Sequence, residues 1–418
     1  MSKLKEYRIS ELGEIGRGRS RHRPRNDKVL YGGEYPFIQT GDVKRANFFI
    51  TEHTATYNEV GLAQSKMWEE DTLCITIAAN IADTAILKYP ACFPDSIIGF
   101  QSYKDKSDVR FIKYYFDIYK KHMESISMGA TQNNLSVAKL ESLTFKVPSI
   151  KVQKQIANVL STYDKLIENN NRRIEVLEQT AEEIYKEWFV RMRFPGYENT
   201  KFDKGIPEGW ELKKVDDIIS FDIGGGWGKD SPEEDFTERA HVIRGTDIPS
   251  MKYGEINHDL LRFHKESQLR NRRLQTSDII FEASGGSKDQ RLGRTYYITD
   301  ETLSMYDHDV ICASFCKVIR IDEKYLSWYF NNYLNYAYTT ETLSIFEVQS
   351  TGISNFGFTK FKKHHQVLLP PADLMKRFFE LTYNMYIDAQ RLGRKNQNLK
   401  KQRDLLLPRL MNGTIEVK

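Results

Sequence analysis

The strongest constraint on this chain is an unbroken heptad pattern. Ile156, Leu160, Tyr163, Ile167, Asn170, Ile174, Leu177, Ala181, Ile184 and Trp188 follow one another at alternating steps of four and three. Such spacing is the a/d seam of a coiled coil, so Lys151 to Arg193 is predicted as one long helix that must bury a stripe against another helix. Pro148 and Ser149 before it, and Phe194, Pro195 and Gly196 after it, are start and stop signals of the expected kind. A second stretch, Ala372 to about Leu407, supplies the partner: Leu374, Phe378, Leu381 and Met385 open it, and Leu392, Leu399 and Leu406 continue at steps of seven. Asp388, Lys395 and Gln402 fall between these leucines, a polar seam that needs partners such as Asn170 or another protein. Gly393 inside this helix costs about 1 kcal/mol relative to alanine and calls for a reason.

The remaining sequence divides into two blocks of domain size, consistent with two or three folding units in 418 residues. Short apolar runs such as DTLCITIAA, DTAILKY, DIIFEA, RTYYIT and DVICASF, broken by Gly, Pro, Asn and Asp, indicate strands joined by long loops. The blocks also match each other. PFIQTGDV aligns with HVIRGTDI, EEDTLCI with QTSDIIF, SMGATQNNLS with QSTGISNFGFT, and FKVPS with VLLPP. Pro148 and Pro370, like Gly129 and Gly352, stand about 222 residues apart. The boundaries are set at 1–148 and 204–369 for the globular blocks, and at 149–203 and 370–418 for the helical segments. A duplicated unit with antiparallel helices gives the approximate two-fold symmetry that suits two sites on a DNA duplex.

Lys plus Arg number 61 against 57 Asp plus Glu, so a nucleic-acid surface must concentrate its charge locally. GRGRSRHRPRN does so with Arg17, Arg19, Arg21, Arg23 and Arg25: guanidinium forks bind phosphates bidentately and read guanine edges, and so many like charges repel unless an anion is near. A solvated loop is the alternative. The matching place in the second block holds GGGWGKD, which fails as a phosphate loop because Ile223 and Asp230 stand where Gly and Ser or Thr are required. ASGGSKDQRLGR offers Ser284, Ser287, Lys288, Gln290, Arg291 and Arg294 on a glycine-rich loop, with groups suited to base edges and phosphates. Gln39, Thr40 and nearby Lys44 in the first block, and Arg244 and Thr246 in the second, follow an apolar strand start. Asp42 and Asp247 beside them read as turn residues bonding local backbone. Differing polar tips on a shared frame are what two readers of different sequences need.

Catalytic constellations are absent from the sequence. The only Pro-Pro is Pro370-Pro371 at a helix start, where an adenine-methylating pocket would need Asn before it and an aromatic after it. Pro94-Asp95 has no suitably spaced acid and lysine for a metal-dependent nuclease, and His364-His365 has no adjacent carboxylate. Zinc at Cys312, Cys316 and His308 is set aside because DVICASFCKVI reads as an apolar strand and structural zinc sites show four tightly spaced ligands. No metal site is expected. The lack of any run of about 18 apolar residues, and a start without a signal-peptide pattern, point to a soluble cytoplasmic protein without a membrane partner.

These residues carry a resemblance. IKVQKQIANVLSTYDKLIENNNRRIEVLEQTAEEIYKEWFVRMRFPG followed by IPEGWELKKVDDI resembles the central conserved region of specificity subunits of type I restriction-modification enzymes, and KNQNLKKQRDLLLPRLMNGTIEV resembles their distal conserved end. The resemblance implies an α+β architecture: two pseudo-repeated α/β target recognition domains, each reading half of a split site on double-stranded DNA, separated by two long antiparallel coiled-coil helices. It further implies that the helices set the spacing and dock two modification subunits. Ile156, Leu160, Ile167, Asn170, Ile174, Leu177, Trp188, Phe378, Leu381, Leu392, Leu399 and Leu406 are the candidate spacer and docking positions. S-adenosylmethionine would belong to those subunits, and ATP and magnesium to two restriction subunits, leaving no cofactor or active site in this chain. The arginine-rich loop departs from the Gly-Pro type loop common in such proteins, so its base contacts do not transfer. An orphan DNA reader of another modification system, or a non-catalytic coiled-coil scaffold binding protein, are the competing readings.

Overall fold

The two long helices form, and each packs antiparallel to the other. The computed structural model describes residues 4–46, 48–77, 83–127, 137–141, 143–285, 291–350 and 353–417. Internal contacts divide the chain into two compact units, one made of Met1–Glu168 with Asn398–Lys418 and the other of Asn169–Gln397. Each unit therefore owns a stretch of both helices, Ile150–Tyr185 and Ala372–Met411. In the first unit Ile156, Ala157 and Leu160 share a core with Leu407, Leu410 and Met411. In the second, Ile174 meets Ala389 and Leu392, and Tyr185 meets Phe378. Among the described residues no helix is long and apolar enough to cross a membrane.

The seam corrects the sequence reading in two places. On the second helix Leu381 is 44% exposed whereas Thr382 is fully buried, and Asp388, Lys395 and Gln402 are exposed while Ala389 and Asn396 are buried. The polar seam positions are thus Thr382, Asn396 and Arg403, and each has a partner. Thr382 Oγ1 accepts from the Trp328 indole at 2.8 Å and donates to Phe378 O at 2.7 Å. Asn170 Nδ2 donates to Asn396 Oδ1 at 2.9 Å, and Asn396 Nδ2 donates to Asn171 Oδ1 at 2.8 Å. Arg403 pairs with Asp164. A buried amide pair of this kind fixes register, because any slip leaves polar groups without partners. The second correction lies at the end of the first helix, where Lys186–Val190 is a π turn. Tyr185, one helical turn after the buried Ala181, and Phe189 inside the π turn enter the core, while Ile184 and Trp188 are partly buried at its edge.

Each unit carries its own sheets, and the pairing pattern is duplicated. In the first, Gly13–Arg17, Ile97–Ser102, Leu73–Thr76 and Thr84–Leu87 pair in that order, with Phe49–Ile50 added at the edge. In the second, Phe221–Gly224, Cys316–Arg320, Ile279–Glu282 and Thr295–Tyr297 repeat the order. Tyr31–Phe37 has an antiparallel neighbour in Ala55–Tyr57 and a parallel one in Ala91–Cys92. Phe236–Ile243 likewise has Leu261–Lys265 antiparallel and Asp309–Cys312 parallel. Lys5–Arg8 with Thr144–Val147 and Glu211–Lys214 with Gln366–Leu369 close the two copies immediately before the long helices. PFIQTGDV and HVIRGTDI, EEDTLCI and QTSDIIF, and FKVPS and VLLPP fall on equivalent strands, whereas SMGATQNNLS lies outside the described residues apart from Ser127.

Gly393 has its reason in the second unit. A Cβ there would stand 2.5 Å from Gly254 N and 2.5 Å from the Tyr253 carbonyl carbon. Gly254, at φ +72, would place its own Cβ 2.3 Å from the Gly393 carbonyl carbon. Two glycines let a loop lie directly on the helix backbone, and that contact outweighs the helix propensity lost. Beside it, Gln390 receives the Thr299 hydroxyl at 2.5 Å and donates to Tyr296 Oη and Thr302 Oγ1, both at 3.0 Å.

Candidate nucleic-acid interface

The arginine run begins where the edge strand Gly13–Arg17 ends. Gly18 is required because a Cβ would lie 2.3 Å from both Phe93 O and Pro94 O. The following backbone is pinned to the domain. Gly18 N–H donates to Ile97 O at 2.9 Å and Arg19 N–H to Phe93 O at 3.0 Å. Ser65 Oγ donates to Arg19 O at 2.8 Å, and Gln64 Oε1 accepts from the Arg21 and His22 N–H groups at 2.6 and 3.0 Å. The segment is therefore not a free loop, although all five arginines are exposed.

Their side chains divide into two groups. Arg23 turns back on Ser20 O at 2.7 Å and His22 O at 2.8 Å, and Arg25 pairs with Asp95 at 2.7 Å. His22 reaches Asp27 at 3.0 Å, and its hydrogen bond holds the Asp27 carboxyl below the usual carboxylate range. Arg17, Arg19 and Arg21 make no side-chain contact with an acceptor among the described residues. Three guanidiniums without an acceptor among the described residues, on a pinned backbone, can take an anion without first ordering the loop.

The strand-to-helix turns match between the copies. Asp42, 4% exposed, accepts the Gln39 N–H at 2.8 Å, the Thr54 hydroxyl at 3.0 Å and the Arg45 guanidinium. Asp247 accepts the Arg244 N–H at 2.8 Å. Both aspartates hold turn backbone, leaving Gln39 exposed and Thr40 partly so at the tip. Arg244 differs from Gln39 in being tied to its own turn, its guanidinium gripping Asp247 at 3.1 and 2.6 Å. Thr246 and Lys44 are exposed.

The second unit presents a different surface in the place of the arginine run. Gly225 packs under Ala313 O, 2.1 Å from a built Cβ, and Gly228 turns at φ +72, so these glycines serve close packing rather than a phosphate. Between them Trp227 is 40% exposed with the Arg262 guanidinium 5.0 Å over its ring. Along the adjoining strands Arg239 lies 5.4 Å over Phe263, and Lys265 and Lys229 lie 5.1 and 5.8 Å over Phe236. This alternation of aromatic and cationic side chains has the composition of a nucleic-acid contact surface. The sequence reading missed it, although LRFHKESQLRNRRL announces it through Arg262, Lys265, Arg270, Arg272 and Arg273. Several of these charges are compensated, Arg262 by Asp230, Lys265 by Asp235 at 3.0 Å and Arg273 by Asp309 at 2.5 Å.

In the glycine-rich loop, Ser287, Lys288 and Gln290 lie outside the described residues. Ser284 Oγ donates to Asn355 Oδ1 at 2.7 Å, and Arg291 pairs with Glu341 at 2.6 Å. Arg294 is a different case. Its guanidinium, 16% exposed, grips the buried Glu282 at 2.7 and 2.5 Å, which makes it a brace of the sheet. Phe315, 55% exposed, accepts the Ala283 and Ser284 N–H groups on its carbonyl at 2.9 Å each, setting an aromatic ring beside that loop.

On the helices Ile156, Leu160, Ile167, Asn170, Ile174, Phe378 and Leu392 are buried, and Leu177, Trp188, Leu399 and Leu406 are partly buried. Leu166, Val176, Leu381 and Leu405 instead point apolar groups outward, each between 44% and 56% exposed.

Residues 1–179 match the family described as the type I restriction modification DNA specificity domain. The chain is 26% identical, over 98% of its length and 93% of the relative's, to the type I restriction enzyme MjaIX specificity subunit of Methanocaldococcus jannaschii. It is 24% identical over 41% of its length, and 36% of the relative's, to the type I restriction enzyme EcoKI specificity subunit of Escherichia coli. Among solved structures, the S subunit of a type I restriction-modification system from M. genitalium shares the fold at a TM-score of 0.57 and 15% identity, covering 98% of this chain and 96% of that one.

Proposed function

We propose a function that proceeds from family membership: this chain belongs to the specificity subunits of type I restriction-modification systems, a non-catalytic family whose role is DNA recognition. In this reading residues 1–148 and 204–369 are two target recognition domains for the halves of a split site on double-stranded DNA. Residues 149–203 and 370–418 are the spacer between them. The observation that carries it is one strand frame built twice with different tips. The first copy offers Arg17, Arg19 and Arg21, and the second offers Trp227, Arg262 and their neighbours at the corresponding place. Identical frames give both domains one mode of docking, and different tips give each its own sequence.

The chemistry belongs to the partners. Two modification subunits bring S-adenosylmethionine and methylate adenine, and two restriction subunits bring ATP and magnesium for translocation and cleavage. The outward Leu166, Val176, Leu381 and Leu405 give the helices apolar points of contact for the modification subunits. In this reading the chain works in the cytoplasm, where the DNA is. Purified chain incubated with DNA, S-adenosylmethionine, ATP and magnesium is expected to leave the DNA unmodified, and addition of its modification subunit is expected to start adenine methylation at one bipartite sequence. Turnover by the homogeneous chain, or methylation without sequence preference in the mixture, overturns the reading.

A further inference from the structure

The second unit gathers two imidazoles and a carboxylate at one point. Strands Phe236–Ile243 and Asp309–Cys312 run parallel, with Ala240 opposite Asp309 and His241 opposite Val310. His241 therefore lies beside Asp307 and His308, the residues leading into the neighbouring strand. One ligand atom from each of the three lies within 4.8 Å of the others. His241 Nε2 is 2.7 Å from Asp307 Oδ1, and His308 Nδ1 is 3.1 Å from the same oxygen.

Hydrogen bonding accounts for only part of this cluster. His241 bonds to the carboxylate, but His308 Nδ1 reaches 3.1 Å off the line of a hydrogen bond and is shielded from solvent with no other partner among the described residues. His241 is 3% exposed, and its Nδ1 is also buried without a partner among the described residues. A buried nitrogen 3.1 Å from a carboxylate, off the line of a hydrogen bond, stands where a second ligand of a shared cation would stand. The Asp307 side chain is 75% exposed, which leaves a route to solvent and room for water ligands.

We propose that His241, Asp307 and His308 bind one divalent transition cation of the zinc, cobalt and nickel class. Two imidazoles and one carboxylate suit these borderline ions, whereas magnesium and calcium take oxygen ligands. Bonds of about 2.0–2.1 Å put neighbouring ligands of such an ion about 3 Å apart; the two imidazole nitrogens lie 2.7 and 3.1 Å from Asp307 Oδ1 and within 4.8 Å of each other, so binding draws the three together. Cys312 and Cys316 take no part. Both are buried within strands, and burial pushes the Cys316 thiol up to about 12 and the Cys312 thiol up as well, which keeps both protonated. The ion ties the turn at Asp307 and His308 to the central strand of this sheet, so binding stabilises the second unit by mass action. This departs from the sequence expectation of no metal site.

The test uses the full chain without a histidine tag, stripped with chelator. Zinc titrated by calorimetry is expected to bind at one equivalent and to raise an unfolding transition, and cobalt is expected to give visible d–d absorption at the same stoichiometry. His308→Ala and Asp307→Asn, at side chains 31% and 75% exposed, are each expected to abolish the stoichiometric binding and the cobalt spectrum while circular dichroism stays unchanged. If His308→Ala fails to fold, Asp307→Asn decides. No binding by the unsubstituted chain, or one equivalent retained by Asp307→Asn, overturns the proposal.

Discussion

Replacing Arg17, Arg19 and Arg21 together with alanine is expected to flatten the salt dependence of DNA binding. Each arginine that neutralises a phosphate releases counterions and adds about 0.9 to the log-log slope, so losing three removes up to about 2.7. Over a fourfold rise in salt the unsubstituted protein should then lose up to about 40-fold more affinity than the variant. The three side chains are exposed and have no acceptor among the described residues, so the fold should be unaffected. Arg23 and Arg25 serve as the internal control. Their guanidiniums already engage Ser20 O, His22 O and Asp95, and their double replacement should change the slope less. Fluorescence anisotropy across a salt series makes the comparison. An unchanged slope in the triple variant would assign the run to solvent.

A second large effect is expected inside the first unit. Asp164 has a side chain only 10% exposed, and it receives both the Arg403 guanidinium and the Tyr114 hydroxyl. Burial, then the neighbouring Asp164 carboxylate, pushes the Tyr114 phenol far up, so it remains a donor. Arg403→Leu removes the countercharge and leaves the carboxylate buried, a change that costs about 3–5 kcal/mol. Replacing both partners with leucine removes the buried charge as well, and should recover most of the loss. Denaturant titration of the full chain should show the transition of the first unit shifted in the single variant and restored in the double. A single variant within about 1 kcal/mol of the unsubstituted chain would mean the pair does little for stability.

The contrast between legible and hidden features has physical causes. The heptads were readable because a buried stripe demands apolar residues at fixed intervals, and the duplication was readable because both copies retain the same strand and turn residues. The register of the second helix was misread at Leu381 because Thr382, which takes the seam, looks polar until the Trp328 indole is placed against it. Gly393 was visible as an anomaly, but its cause, the backbone at Tyr253 and Gly254, lies about 140 residues away. The site shows the same division. Local charge exposed the arginine run, whereas which guanidiniums stay free depends on distant groups such as Asp95. Arg294 resembled a free reader because Glu282 comes opposite it only when the two strands pair. In the sequence Trp227 stands only inside a glycine-rich run that fails as a phosphate loop, and its pairing with Arg262 arises from the fold.

The central claim is that two domains of one frame read two half-sites independently, and exchange of one domain tests it most directly. Residues 1–148 are replaced with the equivalent block of a relative of different specificity, the chimaera is assembled with its modification subunit, and adenine methylation is mapped across a genome-sized DNA. The account predicts that one half of the bipartite sequence changes to the donor's while the other half stays as before. Change in both halves, or in neither, from a folded and active chimaera would contradict it.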